Sequence, residues 1–114
     1  MAKFLVLYMA TPADFQAMMK TSTPESQKQA MGAWMAWMQA NQAAMVDGGA
    51  PLGKTKRVAA SGVADHHNGA GGYSVIQADS AEAAAAMFSP DHPHLASMPG
   101  GWIEITEIMA MPAM

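Results

Sequence analysis

The chain opens on a nearly unbroken apolar run, Phe4-Leu5-Val6-Leu7-Tyr8-Met9, which stops at Thr11-Pro12. A short run that is apolar at both alternating sets of positions predicts a mid-sheet strand over Lys3 to Met9, flanked by other strands on both sides. Ala13 to Lys20, carrying Phe15, Met18 and Met19, reads as a short helical turn. Ser22-Thr23-Pro24-Glu25 then marks a helix start: a hydroxyl caps the free amides, proline suits the first turn, and an acidic side chain complements the helix dipole. Met31, Trp34, Met38 and Met45 recur behind it at helical spacing, with Met35 beside them, so one broad apolar face should lie on a sheet. Trp37 falls off that stripe, which predicts a place at a dimer contact or a pocket rim. Asp47-Gly48-Gly49 supplies a residue able to take positive φ and predicts the helix end near Val46.

Past the turn Ala50-Pro51-Leu52-Gly53, Lys54 to Ala60 reads as a second strand and Tyr73 to Ala78 as a third, with Ser74 and Ile76 on one face of the latter. Between them Ser61 to Ala64 extends toward a hairpin, and Asp65 to Gly72 has the composition of an exposed, mobile loop. A second helix starts at Asp79 or Ser80 and runs through alanines to Met87 and Phe88, stopping before Ser89-Pro90. Gly101 to Met109 alternates strictly and forms the fourth strand. The order strand, helix, strand, strand, helix, strand predicts one α+β domain over residues 1–114. Its architecture is ferredoxin-like βαββαβ, an antiparallel sheet with both helices on one face. The opposite face then needs a cover, and a homodimer supplies one.

Composition sharpens that last expectation. Apolar residues make up 51% of the 114 and charged residues only 13%, so the surface is sparsely charged and tends to leave apolar area for a partner. A net charge of −3 with a single basic cluster, Lys54, Lys56 and Arg57, argues against nucleic acid, and the cluster suits a solvated strand edge instead. The absence of cysteine removes disulfides, thiolate metal sites and thiol nucleophiles, and is compatible with reducing cytoplasm. The N-terminal apolar run is too short for a membrane span and lacks a convincing cleavage site for a signal peptide. Thirteen methionines point to adaptable packing, or to a surface that grips varied apolar partners.

His94 is the first candidate for chemistry, because imidazole titrates near neutrality and the segment before the last strand should bring it to the sheet edge near the helices. The bland reading is a loop histidine bonded to backbone. Asp47 could orient such a ring, although a turn residue before two glycines equally serves local backbone bonding, and its charge opposes a helix C-terminus. Trp34, Trp37 and Met38 could shape a pocket for a small organic molecule, while core packing accounts for most of them. Asp65-His66-His67 and Asp91-His92-Pro93-His94 hold metal-type donors without a diagnostic spacing, so no metal and no cofactor is assigned. Glu104 and Glu107 face opposite sides of the last strand and cannot act as a carboxylate pair. No phosphate loop, dinucleotide fingerprint or nucleophile elbow is present in the sequence.

Three stretches together resemble the YCII-related, or DGPF-domain, family: Lys3 to Tyr8; Asp47-Gly48-Gly49-Ala50-Pro51-Leu52; and Gly72 to Ala84 leading on to Pro93-His94-Leu95 and Ile103 to Ile108. Trp34 and Trp37 match a branch of that family with paired aromatics in the long helix. The resemblance implies a dimeric ferredoxin-like fold of the α/β barrel type. Some members are proposed to use a His and Asp pair, the His from the first helix and the Asp just after the Gly-Pro-Leu turn. Here the first helix holds no histidine, and Lys54 or Thr55 stands where the aspartate is wanted, so that dyad does not carry over. Two uses stay open: a non-catalytic binding or assembly module, and an enzyme acting on a small organic molecule with His94 as acid/base.

Overall fold

The computed structural model describes residues 1–112. Strand β1 (Ala2–Met9) is followed by helices α1 (Pro12–Thr21) and α2 (Pro24–Ala40), strands β2 (Met45–Pro51), β3 (Thr55–Ala59), β4 (Gly62–His66) and β5 (Ala70–Ala78), helices α3 (Ala81–Ala86) and α4 (Pro93–Ser97), and strand β6 (Trp102–Ile108). Four strands form one sheet in the order β2-β5-β1-β6, every pair antiparallel, as a ferredoxin-like βαββαβ chain requires. The apolar first strand sits mid-sheet, as its pattern predicts.

Helix starts follow the local chemistry. Thr11 and Thr23 each accept a bond from the amide three residues on, and the Asp14 and Ser26 side chains in turn accept one from the cap amide. Ser80 caps α3 by accepting the Ala83 amide, without a reciprocal bond. The short turn expected over Ala13 to Lys20 is a full ten-residue helix.

The long helix corrects the expectation most. It stops at Ala40 rather than near Val46, and Met45–Pro51 is an edge strand on β5. Asp47-Gly48-Gly49 therefore makes a bulge rather than a helix cap. The Asp47 carboxylate accepts the Gly49 amide at 2.8 Å, the register shifts on both sides of Asp47, and Gly49 has φ +76°. A Cβ on Gly49 would lie 1.6 Å from the Tyr73 carbonyl oxygen, so only glycine fits there. Lys54 to Ala60, expected as a sheet strand, instead pairs as β3 with β4 in a separate two-stranded arm. Lys56 and Asp65 form an ion pair across that arm, and its tip leaves Val58 and Val63 exposed.

Phe4, Val6, Tyr8, Ile76 and Ala78 share the helix-side face of the sheet and bury against Ala84 of α3, with Trp34 of α2 packed on them. Both helices thus lie on one face. The opposite face presents Leu5, Leu7, Tyr73 and Val75, partly exposed, with Trp102 and Ile108 more open on the β6 edge. No helix among the described residues is long and apolar enough to cross a membrane.

Candidate functional site

At one end of the sheet the helix-side positions are too small to fill the layer beneath α2. Gly72 and Ser74 on β5 and Gly48 and Gly49 on β2 supply almost no side chain, so the helix stands off the strands. The result is a cavity of about 700 Å³. Its roof is the α2 stripe Gln27, Ala30, Met31, Trp34 and Met38, which recurs at helical spacing. Met18 and Thr21 at the end of α1 close one side, and His94, Ser97 and Met98 of α4 and its C-cap close another. None of the described lining residues is Asp, Glu, Lys or Arg. The surface is mainly methionine, tryptophan, alanine, glycine and hydroxyl, with Gln27 and His94 among them.

Two polar side chains are held at the inner end. His94, only 6% exposed, sits in the first turn of α4 with Nε2 2.8 Å from the Met9 carbonyl oxygen. Gly101 makes that bond possible, since a Cβ there would fall 2.9 Å from His94 Nε2. Tyr8 reaches in from β1 with its phenol oxygen 3.0 Å from Ser74 Oγ, and Ser74 in turn donates to the Gly48 carbonyl at 3.0 Å. Burial pushes the Tyr8 phenol pKa up.

Directly behind lies His92, 1% exposed and enclosed by rings: stacked on Tyr8 at 5.5 Å and edge-to-face with Trp34 at 4.8 Å and Trp37 at 4.7 Å. Its Nδ1 accepts the His94 amide at 3.1 Å, which caps α4 and assigns the ring hydrogen to Nε2. That N–H finds no hydrogen-bond partner among the described residues. Burial, and secondarily the neighbouring His94, lower the His92 pKa to about 4, so the ring is neutral near pH 7.

The structure brings His94, Trp34 and Met38 to one cavity. His94 is on a buried helical turn, not in an open loop at the sheet edge, because Pro93 starts α4 and His92 caps it. Trp37 does not line the cavity. It packs on Phe88 and His92, and its indole N–H donates to the Met87 carbonyl at 3.3 Å, a group freed by the end of α3. Asp47 is likewise off the lining, occupied with the Gly49 amide and 3.5 Å from the Tyr73 hydroxyl. His66 and His67 are exposed at the base of the β3–β4 arm, away from its tip. No cluster of three His, Asp or Glu side chains suited to a metal ion occurs among the described residues. Tyr8 and Ser74 were missed as site residues. Their signal was a serine sharing a strand face with Ile76, a polar group on an otherwise apolar side.

No family model matches the chain, and no curated protein matches it. Among solved structures it resembles 5-chloro-2-hydroxyhydroquinone dehydrochlorinase (TftG) from Burkholderia phenoliruptrix AC1100, in complex with 2,5-dihydroxybenzoquinone. The two share 15% identity and a TM-score of 0.50, over 90% of each chain. That likeness carries the ferredoxin-like fold and no further.

Proposed function

We propose that this chain is a YCII-like domain that binds a small uncharged organic molecule between α2 and the sheet, and that it works as a homodimer in the cytoplasm. The observation that carries the binding is the uncharged lining of a roughly 700 Å³ cavity, within the size range of small-molecule sites. A charged ligand there would be desolvated without a counter-ion, whereas methionine and tryptophan accept an apolar body of varied shape. The partly exposed Leu5, Leu7, Tyr73 and Val75 supply an apolar patch for a second copy.

A second reading, catalysis with His94 as general acid/base, draws support from an imidazole on the cavity wall and from a fold neighbour that is an enzyme. The Asp47 partner it would borrow is engaged elsewhere, which favours binding without turnover.

Isothermal titration with benzyl alcohol, benzoate and benzylammonium tests the proposal. Benzyl alcohol should bind at least about tenfold more tightly than either ion. Equal or tighter binding of an ion, or no binding by any of the three, would sink it.

A further inference from the structure

Both polar groups at the inner end of the cavity are turned into hydrogen-bond acceptors by backbone carbonyls. The Met9 carbonyl has no hydrogen to give, so His94 Nε2 donates to it, and in the neutral ring Nδ1 is left with its lone pair. The Ser74 hydroxyl has a single hydrogen, which it donates to the Gly48 carbonyl. Its bond to Tyr8 must then run the other way, with the phenol donating to Ser74 Oγ and the Tyr8 oxygen keeping its remaining lone pairs. The two rings lie 5.7 Å apart on the same cavity.

We infer that Tyr8 and His94 form an acceptor-only anchor, and that it selects an uncharged ring carrying a hydroxyl or amino hydrogen. The inference rests on the cavity being the binding site proposed above, and it adds the polarity of the ligand. A molecule offering only ether or carbonyl oxygens would set lone pair against lone pair at the half-buried anchor, at the cost of leaving an acceptor unsatisfied. Ser74 sets this polarity without meeting the ligand through a hydrogen of its own. It is a positioning residue for the Tyr8 hydrogen.

The test is a nuclear magnetic resonance titration of the ¹⁵N-labelled full chain with phenol, aniline and anisole, which present similar rings with and without a donor. Phenol and aniline should bind about tenfold more tightly than anisole, one hydrogen bond's worth. In Ser74→Ala the Tyr8 hydrogen loses its acceptor and becomes available to the ligand, so the anisole deficit should shrink toward parity. A merely structural role for Ser74 would weaken all three probes alike. Tyr8→Phe gives an independent check and should narrow the preference for phenol over anisole, since it removes one of the two acceptors. Equal binding of phenol and anisole by wild type, or an undiminished phenol preference in the folded variants, overturns the anchor while the cavity reading stands. Failure of all three probes to bind overturns both.

Discussion

His92 shows how one residue can be structural and costly together. Its Nδ1 starts α4 and so places His94, while its Nε2–H faces rings rather than an acceptor. Burial holds its pKa at about 4 in the folded chain, against 6.5 for an unperturbed histidine. Between those values the unfolded chain binds the additional proton, so stability is fully present above about pH 6.5 and is lost as pH falls toward 4. Over the interval from pH 7.5 to pH 4.5 the linkage is worth about 2 to 3 kcal/mol. Urea unfolding at pH 7.5 and pH 4.5 should show that loss in wild type and a flatter dependence in His92→Phe, whose ring cannot take up a proton. Equal pH dependence in the two proteins would remove His92 as the cause. The sequence places His92 in a Pro-, Asp- and His-rich stretch that reads as solvated. Its burial depends on Trp34 and Trp37 of α2, distant in sequence, and on Phe88 just past the end of α3. Local composition carries no trace of that enclosure.

Among elements, those with a local signal were legible and those defined by partners were not. The apolar run of β1, the alternation of β6 and the hydroxyl caps of α2 and α3 are each written within a few residues, and all appear where the pattern puts them. The edge strand β2 was hidden because Asp-Gly-Gly suits a helix C-cap and a bulge equally well. The choice is made by β5, whose open edge needs a partner and pairs Met45 with Ile76. The same gap in local information concealed the cavity, since glycines on two separate strands have to meet beneath one helix before their small size matters. The sheet's open face yields a prediction at this scale. Val75 lies centrally on it, opposite Leu5 on β1 and Asp47 on β2. Val75→Lys should raise the dimer dissociation constant at least about tenfold in light scattering, because a charge would have to be desolvated in a largely apolar contact. A wild type that stays monomeric up to high concentration would refute the dimer.

For the molecule as a whole, the fold and the site answer to different parts of the sequence. The ferredoxin-like order follows from the hydrophobic pattern, and the likeness to TftG over 90% of each chain agrees with it at 15% identity. The site arises where that pattern is interrupted: Gly72 and Ser74 break an apolar strand face, and Gly48 and Gly49 break the edge strand beside it. Of the residues singled out for function, His94, Trp34 and Met38 meet in the cavity, whereas Trp37 and Asp47 turn to local duties next to it. Gly72→Leu asks whether this space is where the ligand binds. A Cβ at Gly72 would meet its nearest neighbours, the Ala50 carbonyl oxygen and Tyr8 Cδ2, at an ordinary 3.5 Å, so the backbone can accept a side chain there. Titrated with benzyl alcohol, Gly72→Leu should keep a cooperative thermal transition close to that of wild type and bind at least about tenfold more weakly, its side chain occupying the cavity floor. Undiminished affinity in the folded variant would place the ligand outside this cavity.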